Sequence, residues 1–474
     1  MIWRGTILMM IGQALAMLSG YGIQVFLARH LGPEQYGNFG VVQSILMIIE
    51  LSVVAGVPNA LKRFVGESPE KAWGLHRFLL KWQIGLSFFL FALAYVLAPF
   101  IARILNDESL VFILRWAIID IVFFAIYWYY NGFLTGQRKF AKQTLSVAAY
   151  TVSKFILVVV LVSAGYGLVG AFVANFLASI CGLAAGMFLF KIEKGPADIS
   201  RMGFLKFIIP SIVYSIGVNL FFYIDLWFVK FYESGQAVGF YAVAGALARI
   251  PYFFSTALAG AIIPTLAFAV AKGADDDCAT IIRQALRNVL LILCPMTLFV
   301  ATETGTLIQF LFGAEYLQAA EILQILFAGM ALLTLFSIMN AINIAKSGML
   351  GCGIIVAGLV FVDAAANWLL VPEMGVIGGA LATTLTMILG LVISSLFVFK
   401  QFEVFMEMRS IARILAISLV LFAISWQIVA PDFWLMVLKV SLLLVAYVVL
   451  LRISGEITAD EVRMIKGRLL PGMT

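Results

Sequence analysis

Few side chains in this sequence could hold a charged or hydroxyl-rich molecule, and most of them sit inside long apolar runs. Arg249 lies deep in one such run, just before Pro251, where a guanidinium can grip phosphate or carboxylate oxygens bidentately. Its alternative role is a structural ion pair with Asp225 of the preceding run. Asp225 can bind a Na+ or a proton, or only neutralise Arg249. Glu50 is a mid-run carboxyl that suits ion binding, or one kept neutral by burial. Lys154 either reaches a polar cleft or snorkels towards the membrane surface. Asp120 follows Arg115 closely enough for a local pair, and Asp363 reads as polar packing between helices. Asn219, Asn131 and Asn340 can bond hydroxyl groups or join helices to one another. Arg29, Lys62 and Arg63 stand at run ends, as contacts for arriving head groups or as interfacial anchors. The aromatic run Tyr127-Trp128-Tyr129-Tyr130 reads as an interfacial belt, with stacking on sugar rings as the alternative. Pro251 and Pro264, with Gly260 between them, break the helical hydrogen-bond ladder and mark a bending point.

The elements that must position these groups follow from composition. Of 474 residues, 63% are hydrophobic and 12% charged, and the mean hydropathy is +1.06. Soluble domains carry about 45–50% apolar and about 25% charged residues. This excludes a soluble enzyme, a disordered chain and a nucleic-acid binder, and predicts a polytopic all-α membrane protein. The net charge of +6 needs no anionic partner, because Lys and Arg accumulate in cytoplasmic loops. Cys181, Cys278, Cys294 and Cys352 have no metal or redox spacing and read as free thiols. With only His30 and His76, a histidine relay or a His-based metal site is excluded. The run from Ile7 to Leu27 is too long for a signal-peptide core and stays as the first span.

The pattern predicts fourteen spans, among them 5–30, 37–62, 110–134, 205–231, 237–271 and a final pair at 411–430 and 433–451. Short connections carry Gly or Pro punctuation, as in Leu31-Gly32-Pro33 and Gly165-Tyr166-Gly167. Under strict alternation, 24 of the 31 Lys and Arg residues fall on one side and five on the other, which predicts cytoplasmic termini.

The chain also repeats. Gln35-Tyr36-Gly37-Asn38-Phe39 opens the second span, and Ala237-Val238-Gly239-Phe240-Tyr241 opens the eighth. Gly167 before the sixth span matches Gly375 before the twelfth, and Asn131 matches Asn340. Six spans separate the copies, so both have the same membrane orientation and border a substrate path. No phosphate loop and no segment large enough for a nucleotide-binding domain occurs, which leaves transport by two rearranging bundles.

Three features together resemble a known family. Phe26-Leu-Ala-Arg-His-Leu-Gly-Pro-Glu-Gln-Tyr-Gly37 leads to Gly56-Val-Pro-Asn-Ala-Leu-Lys-Arg63. Tyr223-Ile-Asp-Leu226 is followed by Val238-Gly-Phe-Tyr241. Phe312-Gly-Ala-Glu-Tyr316 precedes Pro372-Glu-Met-Gly-Val-Ile-Gly-Gly-Ala380. Over essentially the whole chain this resembles the Wzx-type polysaccharide transporters of the multidrug/oligosaccharidyl-lipid/polysaccharide (MOP) exporter superfamily. The resemblance implies two pseudo-symmetric six-helix lobes in a V, residues 1–191 and 205–400, a cytoplasmic linker at 192–204, and an extra helix pair and tail at 401–474. It implies a flippase moving polyprenyl-pyrophosphate-linked oligosaccharide from the cytoplasmic to the outer leaflet, a transporter and not an enzyme. Arg249 would then meet the pyrophosphate, within a cavity also formed by Asp225, Glu50, Lys154, Asn219, Arg29, Lys62 and Arg63. The expected surroundings are a cell membrane, membrane lipids, other polysaccharide-assembly membrane proteins and a monomeric chain. No cofactor is expected beyond a coupling H+ or Na+. The alternatives are an ion-coupled drug or cation antiporter of the same superfamily and a membrane polysaccharide-assembly enzyme. Short outer loops speak against the enzyme.

Overall fold

The computed structural model describes residues 2–195, 201–233, 235–404 and 407–457, with the side chains of all of these but 2–10, 201–207 and 254–257. In lipid a spanning segment must satisfy its backbone internally, so apolar runs of this length become helices. Among the described residues there is no strand. In chain order the helices are α1 (Ile2–Val54), α2 (Val57–Glu67), α3 (Ala72–Ile104), α4 (Leu110–Ile118), α5 (Asp120–Gly136), α6 (Phe140–Leu161), α7 (Gly167–Leu189), α8 (Arg201–Leu220), α9 (Ile224–Tyr232) and α10 (Gly235–Ala248). There follow α11 (Ile250–Ala271), α12 (Asp275–Leu311), α13 (Ala319–Ser347), α14 (Met349–Phe402), α15 (Met408–Gln427) and α16 (Phe433–Ile453).

Ten helices, or eleven counting the bent pair α8–α9, are long and apolar enough to cross a membrane among the described residues. Three of these continuous segments run 50 residues or more. At 1.5 Å per residue that is at least about two and a half times what a bilayer core of about 30 Å can hold. Each folds back on itself at the glycine punctuation. Gly32 (φ 73°) turns α1, and Tyr36 then donates to Gln24 at 2.6 Å, a contact that a straight helix could not make. Gly165 and Gly167 turn the chain between α6 and α7, and Gly375 turns α14. The repeat read from the sequence has a geometric counterpart here. Gly167 has φ 52° and ψ −136°, and Gly375 has φ 59° and ψ −138°. Positive φ costs glycine little and other residues much, so this turn needs glycine in both copies.

Among the described residues, one expected span is bent at a break. The span expected at 205–231 is two helices, α8 and α9, meeting at 46°. No Gly or Pro marks that break. Phe222 N and Tyr223 N bond three residues back, to Asn219 and Leu220 carbonyls, and Phe221 to Tyr223 are buried. The span expected at 110–134 is one continuous candidate crossing, Leu110–Gly136, in which Ile119 keeps helical dihedrals between α4 and α5. The span expected at 237–271 is likewise one candidate crossing, Gly235–Ala271, with Arg249 in the αR region between α10 and α11 and Pro251 in the first turn of α11. Pro264, by contrast, is carried inside α11 without interruption. The aromatic run of α5 is not an interfacial belt: Tyr127 and Tyr129 are fully buried, and Tyr129 is hydrogen-bonded to His76.

The chain divides into two compact units, residues 1–243 with 353–379, and residues 244–352 with 380–474. In the first, α2, α3 and α5 share a core of Val57, Leu61, Leu75, Tyr129 and Phe133. In the second, α11, α12, α13, α15 and α16 surround Ile282, Leu286, Leu293 and Ile338. The helix pair α15–α16 is tied to α12 at both ends. Lys439 pairs with the buried Glu303, and Arg287 pairs with Glu456 at 2.8 Å. All four cysteines are free; Cys181 is exposed and the other three are buried. Residues 196–200, including the Asp198-Ile-Ser200 cap expected in the linker, and the tail from 458 lie outside the described residues.

Candidate functional site

Four helices of the first unit bring ionisable groups together in its interior. Glu50 comes from the end of α1, Asp120 from the first turn of α5, Lys154 from α6 and Asn175 from α7. Glu50 is 4% exposed and Asp120 fully buried. Among the described residues, Glu50 Oε1 and Asp120 Oδ1 are buried without a hydrogen-bond partner. The Asn175 amide donates to Asp120 and accepts from Tyr150 at 3.3 Å. Lys154 Nζ lies 3.4 Å from the Tyr150 hydroxyl. The local pair expected between Asp120 and Arg115 is therefore replaced: Asp120 points into the unit, while Arg115 covers the Tyr95 ring at 4.9 Å. Lys154 is half-buried, with its ammonium 5.6 Å from the Tyr150 ring centre. Ionisable groups at such depth cost at least about 2.5–3.5 kcal/mol each unless compensated. Asp120, Tyr150 and Asn175 escape a reading run by run. The available signal was charge: Glu50, Asp120 and Lys154 are ionisable residues far from the ends of the early runs.

A second polar set surrounds the break between α8 and α9. Asp225, 2% exposed, accepts a 2.6 Å hydrogen bond from Tyr241 and one of 2.7 Å from its neighbouring Leu226 N. Two residues on, Trp227 Nε1 donates to Ser44 at 2.7 Å. At the far end of α9, Lys230 donates to Asn38 at 2.9 Å and to Asp107 at 2.7 Å. Burial pushes the Asp107 carboxyl up, but the donors on Lys230 and Ser109 outweigh it and hold the group below the usual carboxylate range. Glycines let these elements meet. A Cβ on Gly37 would stand 2.7 Å from Gly239 N, and one on Gly239 would collide with the Pro33 carbonyl. The two repeat-related glycines thus lie against one another.

The other expected residues are dispersed. Lys62 bonds Asn59 at 3.0 Å and lies 5.8 Å from the Trp128 ring centre. Arg63 forms an exposed pair with Glu67 at 2.8 Å, and Arg29 is exposed. Asn219 turns back to the Ser215 carbonyl at 3.0 Å. Asn131 and Asn340 are buried and bonded to Ser146 and Ser394. Arg249, with Pro251 and Pro264, belongs to the second unit; its half-buried side chain lies over Gly245. Among the described residues, no three His, Cys, Asp or Glu side chains converge as a metal site.

The polysaccharide biosynthesis protein family model matches residues 2–269. A probable low-salt glycan biosynthesis flippase, Agl15 of Haloferax volcanii, is 23% identical over 78% of this chain and 79% of its own length. An uncharacterized membrane protein of Methanocaldococcus jannaschii is 24% identical over 78% of this chain and 90% of its own. Among solved structures, the lipid II flippase MurJ in an inward closed conformation superposes with a TM-score of 0.77 over 94% of this chain and 98% of its own, at 16% identity. An inward-facing multidrug resistance MATE transporter of the MOP superfamily gives 0.65 over 81% and 95%, at 15% identity. With the family match spanning more than half of the sequence, the chain belongs to the polysaccharide biosynthesis protein family.

Proposed function

We propose that this protein is a flippase that carries polyprenyl-pyrophosphate-linked oligosaccharide from the cytoplasmic to the outer leaflet by alternating access. One observation carries the reading: within a membrane protein of the polysaccharide family, the two copies of an internal repeat touch at Gly37 and Gly239. Copies in the same orientation that close on each other at one end are what alternating access requires. The lobes are residues 1–191 and 205–400, joined through 192–204 and followed by the pair and tail at 401–474. Fourteen crossings follow if each folded-back helix counts as two and the bent pair α8–α9 as one. The Lys and Arg distribution sets both termini in the cytoplasm of the cell membrane, and with them the Lys230–Asp107 pair at the outer face.

In this reading Arg249 holds the pyrophosphate, Lys62 and Arg63 receive head groups at the inner mouth, and Arg29 lies at the outer one. Asp225 and Asn219 line the path at the break between α8 and α9. Pro251 and Pro264, which have no N–H for the helical ladder, are the bending points of α11. A cation gradient drives the cycle through the carboxyl groups, and a single chain suffices. The test is flipping of a fluorescent polyprenyl-pyrophosphate oligosaccharide in proteoliposomes, with wild type and Arg249→Ala side by side. Flipping that collapses in the variant supports both substrate and residue. Flipping that survives removes Arg249 from the path. If the oligosaccharide stays and a drug or cation moves instead, the antiporter reading takes its place.

A further inference from the structure

We propose that Arg115, laid over Tyr95 on the outside of α3 and α4, binds the phosphate of a glycerophospholipid, so that one bilayer lipid is a fixed part of this end of the protein. The inference needs only that α3 and α4 cross a membrane, and holds whatever the protein carries. Arg115 stands five residues after Leu110, where α4 begins, which is about 8 Å into the span. Its guanidinium lies 4.9 Å from the Tyr95 ring centre. Among the described residues it has no acid partner. Asp120, the carboxyl expected to pair with it, accepts instead from Asn175. Asp107 is held by Lys230 at 2.7 Å, and Glu108 lies 4.0 Å from Arg103. One cation–π contact does not compensate a guanidinium inside a span, so an anion is missing.

The surroundings say which anion. Of the Arg115 nitrogens only Nε is sealed within the protein, so the two terminal ones, which form the planar fork, stay open. A fork of this kind grips two phosphate oxygens at once. Around it Val96, Phe112 and Trp116 are exposed, and Phe89 and Leu93 continue the exposed apolar face of α3 towards its middle. In a membrane protein such a face meets acyl chains, with aromatic rings at the level of the head groups. A free anion would have to leave water to reach the fork, whereas a phospholipid brings its phosphate on chains that already cover this face. With the termini in the cytoplasm, the lipid belongs to the outer leaflet. Seated on both helices, it steadies the connection between them, which holds α9 through Asn106 and Asp107.

The test needs no transport. Native mass spectrometry of the full chain, stripped of lipid in detergent and titrated with dioleoylphosphatidylglycerol, counts bound phospholipids one by one. The first should bind at least about tenfold more tightly than the second. Dioleoylglycerol, which lacks the phosphate, should not take its place, and inorganic phosphate should not displace it. Arg115→Gln should weaken the first binding by roughly tenfold or more, and Arg115→Lys, which keeps the charge without the fork, by less. Equal binding of dioleoylglycerol, displacement by inorganic phosphate, preference for a polyprenyl phosphate, or an unchanged first binding in Arg115→Gln overturns the proposal. The comparison of lipids on the wild type decides even if a variant fails to fold. A protein that keeps this lipid yet flips nothing would sink the flippase reading and leave the lipid site standing.

Discussion

Lys230 donates to Asp107 at 2.7 Å, joining the end of α9 to the connection between α3 and α4, with side chains 7% and 21% exposed. Asn106 reinforces the junction by donating to the Phe231 carbonyl at 3.1 Å. Asp107→Asn removes the charge opposite Lys230, and a hydrogen bond to a charged group is worth about 1.5–3 kcal/mol. The end should open more often by roughly ten- to a hundredfold. Val41→Cys, at a fully buried position nearby, reports this through its rate of labelling by a membrane-impermeant maleimide. Equal rates with and without Asp107→Asn would show that the pair closes nothing.

The same junction has a pH signature of known sign. Because the folded Asp107 carboxyl is held below its ordinary value, its contribution is fully present above about pH 4 and is lost as pH falls through the lower folded value. The ratio of Val41→Cys labelling in the wild-type background to that in Asp107→Asn should therefore rise towards one on acidification, the falling thiolate fraction being common to both.

Gly239→Val places a branched side chain where the Pro33 carbonyl stands. Overpacking of this kind costs about 1–3 kcal/mol, and the cheapest relief is separation of α10 from α1. Flipping should fall and Val41→Cys should label constitutively. Gly20→Ala, with open space around it, serves as the silent control.

Lys439 and Glu303 are each nearly enclosed, and Lys439 also reaches the Ile428 carbonyl at 2.5 Å. Lys439→Met strands a buried carboxylate and should cost about 3–5 kcal/mol, while the double variant with Glu303→Gln recovers most of the loss. Thermal melting in nanodiscs measures both. Equal losses in the single and double variants would mean that the two ends of the pair act independently.

At Arg249, charge and geometry can be separated. Arg249→Lys keeps the charge and loses the planar fork, so flipping should drop less than in Arg249→Ala but still by roughly tenfold. Identical rates for the two variants would assign the role to the fork alone, and an unaffected Arg249→Lys to the charge alone.

The membrane class, the helical architecture and the places where the chain turns back were legible because each is local. Hydropathy is summed along a run, and a turn that needs positive φ needs glycine, so Gly32, Gly165 and Gly375 mark reversals in sequence and structure alike. The repeat was legible for the same reason, since Gly167 and Gly375 share one backbone conformation. The break at residues 221–223 was not, because bulky buried rings produce it without a Gly or Pro signal.

The sequence by itself determined how many charges enter the apolar interior and on which helices they ride. Only the tertiary structure decided their partners. Asp120 left the Arg115 beside it in sequence for Asn175 on α7, and Lys230 found Asp107 across a long stretch of chain. The reason is physical: in an interior without water, a buried charge is stable only beside a compensating group, and which groups come close is set by how helices pack. Packing depends on contacts between residues far apart in sequence, which no local pattern encodes.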